Sequence, residues 1–290
     1  MRPLATLTRQ ALLSLPLVFV GIVMIVPLGV TVVVSFWERA GFKFKPAFSF
    51  KAYETIIDGA RLDVLLRSVA AAAEATALSL LIAYPIAYVL ARKTSAAVTR
   101  VMLLLFTVPF LINYVVRNVA WTGLLGRTGT INEFLMSTGL TSQPLDWLLY
   151  SDFSVFLGLI STYMPFMIFP LFLSIAAIDR QYFEASADLG ASTVTTFLRI
   201  TLPLSLPGIF AAVVFGFVGC LGESAVPIIM GGVGYELLGN TITSSMDVLN
   251  YPLAAALSTL VIVLMLLLMA SWYLVFDLKT FLGKILEWRG

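Results

Sequence analysis

The stretch DRQYFEASADLGASTVTTFLRITLPLSLP, Asp179 to Pro207, lies between two long segments almost free of charge. It is amphipathic. Glu184, Ala185 and Asp188 favour a short helix, Gly190 breaks it, and Ser192 stands where it can cap a second short helix running to Arg199. Two short helices at a bend make a rigid knob, held by the long segments on either side. Physics alone allows such a stretch to be an ordinary interfacial connector as readily as a docking device, so its surroundings decide.

Those surroundings are apolar. Of 290 residues, 60% are hydrophobic and only 12% charged, with a mean hydropathy of +0.98. Soluble domains carry about 25% charged residues, so too little charge is present to cover a water-facing surface. The expected fold is all-α: a polytopic membrane protein in one transmembrane domain, 1–290. Crossing a bilayer core takes roughly 20 apolar helical residues, which predicts six spans at about 10–37, 68–91, 101–126, 153–178, 200–222 and 248–276, with a connecting loop at 179–199. The first is too long for a secretory h-region and is expected to be retained. Internal prolines, among them Pro85, Pro109, Pro165 and Pro170, point to a packed bundle, where neighbours re-satisfy freed backbone groups.

An even number of spans puts both termini on one side. With the termini cytoplasmic, the inside segments hold ten Lys and Arg against eight in the rest of the chain. The short basic run Arg92, Lys93 and Arg100 carries most of that orientation argument, which places the 179–199 loop in the cytoplasm. The net charge is only +2 and the basic residues are scattered, so nucleic acid is not an expected partner. The chain has no histidine and a single cysteine, Cys220. That excludes histidine acid–base catalysis, intramolecular disulfides and ordinary zinc sites. No GxxxxGK[ST] loop occurs, and no cofactor or metal is expected on this chain.

Ionisable groups within spans cost about 2.5–3.5 kcal/mol on insertion scales, so each is a candidate for function. Glu74 interrupts the second span. Glu223 closes the fifth, just before Pro227 and the Gly231-Gly232-x-Gly234 turn. Either is a cation-attracting wall of a solute pathway, or else a polar packing contact or cap. Arg117, in the third span, is expected to pair with one of these carboxylates. Tyr114, Trp121, Tyr163 and Tyr235 are candidates for cation–π contact or for plain packing. No Lys or Arg occurs from Glu223 to Asp247, which favours a cationic solute.

The spacing of the opening stretch is specific. Glu184-Ala185-Ser186, three residues, Gly190, nine residues, then Ile200-x-Leu202-Pro203 resembles the cytoplasmic EAA motif of ABC-importer permease subunits. Ser186, in place of a second alanine, is the one departure. The likeness runs through most of the chain and is nearest to the spermidine/putrescine type. Tyr84-Pro85, Val108-Pro109-Phe110, Ala120-Trp121, Gly222-Glu223, Leu238-Gly239-Asn240 and Tyr251-Pro252 also carry it.

The resemblance implies a transport subunit with no catalytic residues, in a bacterial cytoplasmic (inner) membrane, forming half of a pathway that works by alternating access. Its implied partners are a second, distinct permease, two ATPase subunits that hold ATP and Mg, and an external solute-binding protein. It implies ATPase coupling through Glu184, Ala185, Ser186, Asp188, Leu189, Gly190 and Ala191. Candidate pathway residues are Glu223, Glu74, Tyr114, Arg117 and Trp121. Other cargoes of similar permeases are an opine, an aminophosphonate, an amino-acid-derived solute or ferric iron. A reading of another class is an ion-coupled secondary transporter, with Glu74 or Glu223 as a proton site.

Overall fold

An unpaired amide in hydrocarbon costs several kcal/mol, so charge-poor segments of this length fold as helices. The computed structural model describes residues 2–41, 43–57, 59 and 61–275. In chain order they form α1 (Arg2–Val34), a small hairpin of β1 (Glu38–Ala40) and β2 (Lys43–Lys45), α2 (Lys51–Ile57), α3 (Arg61–Arg92), α4 (Ala96–Leu111), α5 (Tyr114–Leu125) and α6 (Thr130–Ser137). Then follow α7 (Asp152–Ala176), α8 (Arg180–Asp188), α9 (Thr193–Thr196), α10 (Leu202–Leu204), α11 (Leu206–Gly222), α12 (Ala225–Met230), α13 (Leu238–Asp247) and α14 (Tyr251–Val275). The protein is an all-α polytopic membrane protein. Position 276, the end of the sixth expected span, lies outside the described residues.

Among the described residues, three helices are long and apolar enough to cross a bilayer, and five spans result if each of two bent helix pairs counts as one. The apolar part of α1, Val18–Val34, is a further shorter helix, and including α1 is consistent with six. The stretch read as a third span, 101–126, is not one helix. It breaks between α4 and α5, with an 88° bend between Ala96–Pro109 and Tyr114–Ser137. Asn113 causes the restart, since its side chain accepts from the Val115 amide at 2.8 Å. The fifth stretch is bent by 65° at Ser205, where Pro207 opens α11 without needing an amide donor.

The chain divides into two compact units. The smaller comprises Met1–Leu62 and Thr241–Leu264. It contains the hairpin, in which Glu38 pairs with Lys45, and a cluster of Phe36, Phe48, Phe50 and Tyr53. The larger comprises Asp63–Asn240 and Met265–Gly290, and it holds the rest of the structure relevant here.

Within the larger unit, close helix packing follows from two stripes of small residues. On α3, Ser68, Ala72, Ala75, Thr76, Ser79, Ala83 and Ala87 are buried along one face. On α11, Gly208, Ala212, Gly216 and Cys220 recur every fourth residue and are buried. Helix α7 supplies the large partners Met167, Ile168, Leu171 and Ile175, packed against Ala83, Ala87 and Ala212. Backbone approach here is intimate. A Cβ on Gly216 would lie 2.8 Å from the Met167 sulfur and 3.0 Å from Thr76. In a bilayer, where helices gain no hydrophobic drive toward one another, such contact supplies the dispersion that holds them together.

Candidate functional site

The break between α4 and α5 and the interruption between α11 and α12 face one cavity. Its volume is about 440 Å³, and its wall comprises Pro109, Ile112 and Asn113 at the α4–α5 break, Tyr114 and Arg117 of α5, Thr162, Tyr163 and Phe166 of α7, and Gly222, Glu223 and Ser224 at the α11–α12 break. Interrupted helices persist at membrane depth where they line a cavity.

Glu223 is only 5% exposed. One carboxylate oxygen accepts from the amides of Ala225 at 2.8 Å and Val226 at 3.3 Å, which caps α12. The other accepts from the Tyr163 hydroxyl at 2.6 Å. The far end of α12 is fixed too, because Ser154 donates its hydroxyl to the Met230 carbonyl at 2.8 Å. Gly158 admits α12 against α7, since a Cβ there would lie 2.6 Å from the Met230 sulfur and 2.7 Å from Val226. Gly219 leaves room for the Tyr163 ring, whose Cζ would stand 2.9 Å from an added Cβ.

Arg117 reaches the same cavity. It does not form the expected ion pair among the described residues; its Nη1 donates to the Pro109 carbonyl at 3.3 Å, and its buried Nε has no partner there. The break after Pro109 exposes a carbonyl that a continuous helix would have consumed, and this acceptor takes the place of the carboxylate. The buried Thr162 hydroxyl and both polar atoms of fully buried Asn118 likewise lack partners among the described residues.

Of the five pathway candidates, the structure brings together Glu223, Tyr114 and Arg117. Glu74 and Trp121 are not in the cavity wall. Glu74 lies on the exposed face of α3, opposite its small-residue stripe, and Trp121 is half-buried on α5. Thr162, Phe166, Asn113 and Pro109 were not anticipated as wall residues; only the prolines and the run of polar and aromatic residues at 162–166 hinted at them. Tyr235 is elsewhere, near the Asp152 end of α7. There it donates to Asp152 at 2.6 Å beneath the Arg67 guanidinium, which stands 4.5 Å from its ring centre. Burial, and then the bond to Asp152, push the Tyr235 phenol up to about 12.

At the other end of α7 sits the knob. Asp179 caps α8 by accepting from Gln181 at 3.0 Å. The helix closes on Gly190 at φ +71°, with Gly190 donating to Ala187 at 2.9 Å and Ala191 to Ser186 at 3.0 Å. That pair of bonds is a Schellman closure, which needs a residue at ease in the left-handed region. Ser192 then caps the next helix by accepting from Thr195 at 3.2 Å.

Buried Ser186 has its own function here. Its hydroxyl bonds that of Thr196 at 2.7 Å and ties the two short helices together, which alanine would not do. Glu184 does not reach the neighbouring helix; it pairs with Arg180 at 2.9 Å on the exposed face. Ala185 and Asp188 are exposed beside it. Leu189 is 86% exposed, and Tyr182, Val194 and Leu198 are exposed as well.

Residues 75–280 match the family described as binding-protein-dependent transport system inner membrane component. This chain belongs to that family. The permease is 36% identical over 241 residues to the spermidine/putrescine transport system permease protein PotB of Escherichia coli (strain K12), covering 82% of this chain and 87% of that one. It is 32% identical over 251 residues to PotB of Haemophilus influenzae, covering 86% and 87%. In fold it is similar to a chain in the crystal structure of a bacterial alginate ABC transporter in complex with an alginate pentasaccharide-bound periplasmic protein. There the TM-score is 0.71 at 15% identity, over 92% of this chain and 94% of that one. The permease is thus a multi-pass transport component of the inner membrane and not an enzyme. It is part of a system that works with a solute-binding protein.

Proposed function

We propose that this permease forms half of the translocation pathway of an ATP-driven importer of a small polycation, putrescine or spermidine, by alternating access. The observation that carries the reading is the cavity between the helix breaks. It sets a buried carboxylate among the rings of Tyr114, Tyr163 and Phe166, a combination suited to ammonium groups. The relatives named for spermidine and putrescine support the same cargo.

The other half of the pathway is a second, distinct permease. The knob of α8 to α10 docks on one of two ATPase subunits, which carry ATP and Mg, and the external binding protein delivers solute to the opposite face. With both termini cytoplasmic, the knob lies on the ATPase side. Its exposed Leu189, Val194 and Leu198 are the apolar surface that docking would cover, and Glu184, Ala185, Asp188 and Ala191 form its polar and small-residue margin.

The test is ATP hydrolysis by the complex, reconstituted with its co-encoded subunits and binding protein, against putrescine, spermidine, an opine, an aminophosphonate and ferric iron. Stimulation by a polyamine alone is expected. Arg117 in the same wall favours an anionic solute as the second reading, and stimulation by the aminophosphonate alone would establish it instead. Uptake that persists without the ATPase subunits would overturn both.

A further inference from the structure

One face of α3 is joined to the knob at three successive turns. Tyr84 shares a 2.8 Å hydrogen bond with Ser205, and its ring meets Phe197 edge-on at 5.8 Å. Tyr88, one turn on, meets the same Phe197 at 6.0 Å. Arg92, one turn further and the last residue of α3, donates through Nη2 to the carbonyls of Ile175 at 3.0 Å and Ile178 at 2.6 Å. Its guanidinium also lies 4.1 Å from the ring centre of Phe183 on α8.

Residues 84, 88 and 92 share one helical face because four residues make about one turn. The Arg92 contacts have a particular geometry. The Ile175 carbonyl lies in the last turn of α7 and also accepts from the Ile178 amide at 3.3 Å, while Ile178 stands two residues past the end of that helix, where carbonyls lack a regular intrahelical donor. A cation is favoured there, both by those carbonyls and by the helix dipole. The flat guanidinium offers its edge to the carbonyls and its face to an aromatic ring at once, which an ammonium cannot do. Arg92 therefore touches three elements at one point: α3 as its own backbone, the end of α7, and α8. No carboxylate pairs with it among the described residues; a basic residue at this membrane edge suits the orientation, and the junction adds a reason for it to be arginine rather than lysine.

We propose that Arg92, stacked on Phe183, is the positioning residue that makes α8 move as one body with α3 and α7, so that displacement of the knob becomes tilt of the core helices. This rests on the reading of the α8–α10 segment as the ATPase-docking knob. Tyr84 and Tyr88 on Phe197 fix the second short helix to the same face of α3, and Arg92 fixes the first.

The experiment uses the whole complex in proteoliposomes and reads putrescine moved per ATP hydrolysed. Arg92→Gln and Phe183→Leu are each expected to lower that ratio about fivefold, the scale of one lost cation–π contact, while the ATPase subunits still copurify. The double variant is expected to be no worse than the poorer single. Phe183→Leu keeps the α7 carbonyl bonds, so it reads the latch even where Arg92→Gln fails to accumulate.

Multiplicative losses, or an unchanged ratio in Phe183→Leu, overturn the latch. Leu189→Asp, on the outward side of the knob, tests docking by itself and is expected to release the ATPase. Retention of the ATPase in Leu189→Asp overturns the docking reading and the latch with it. A wild-type complex that moves no putrescine overturns only the cargo, and the latch is then read as loss of binding-protein-stimulated ATP hydrolysis in the same variants.

Discussion

Replacing Glu223 separates two functions that one carboxylate combines. It accepts three hydrogen bonds, two from the start of α12 and one from Tyr163, at 2.8, 3.3 and 2.6 Å. Glutamine keeps an oxygen for the two amides and turns its NH₂ group toward the phenol oxygen, which can accept. The cap survives and the charge is removed. Alanine strips both oxygens away and leaves two amides and a hydroxyl without an acceptor. Losing the cap costs about 1 kcal/mol, and a buried polar group left unsatisfied costs about 1–3 kcal/mol. Glu223→Ala is therefore expected to destabilise the permease by about 2–4 kcal/mol, and Glu223→Gln by under about 1 kcal/mol.

The assay pairs the thermal midpoint of the purified complex with solute uptake in proteoliposomes. Glu223→Gln is expected near the wild-type midpoint with uptake reduced about tenfold or more, the scale of one lost charge-assisted contact. Equal midpoints for the glutamine and alanine variants would refute the capping role. Full uptake by Glu223→Gln would refute the role of its charge in passing a cation.

Gly190→Ala meets open space but must hold φ +71°. It is expected to strain the knob by about 1–2 kcal/mol and lower solute moved per ATP, read in the same proteoliposomes. Gly208→Ala would place a methyl 2.6 Å from the Pro170 carbonyl and against Ser174. Loss of folded permease by size-exclusion profile is expected, because backbone cannot yield as a flexible side chain does. Ser186→Ala removes the 2.7 Å bond to Thr196, and a small loss of about 0.5–1.5 kcal/mol in thermal stability is expected with uptake retained. Arg117→Gln is expected to leave polyamine-stimulated ATP hydrolysis in place; its abolition, with stimulation by an anionic solute in the wild type, would reverse the cargo reading.

The knob and the long helices were legible because their signals are local. Asp179, Gly190 and Ser192 each act on backbone within three residues, so spacing alone locates both short helices. The cavity was legible only in part. Glu223, Arg117 and Tyr114 are conspicuous as polar groups in apolar segments, yet what they touch depends on how α5, α7 and α11 pack. No local pattern announces that Gly219 clears space for Tyr163, or that Pro109 offers Arg117 a carbonyl. Glu74 shows the converse. Its charge is as conspicuous in sequence as that of Glu223, but helical phase turns it away from the stripe of Ala72, Ala75 and Thr76 on which α3 packs. The break at Asn113 was missed because the apolar run continues through it; only the side-chain cap, which competes with the helix ladder, marks the restart.

The α11 stripe ends in Cys220, the sole thiol of the chain and only 3% exposed. Thiolate chemistry needs access as well as ionisation, so a maleimide or nitroxide reagent will find little to react with in the native permease. Pairs of introduced cysteines, at exposed Val98 near the start of α4 and Val233 beyond α12 for example, will therefore carry probes on an otherwise silent background. Opening and closing of the pathway can be followed as distances in a chain that keeps Cys220, with no native cysteine removed first.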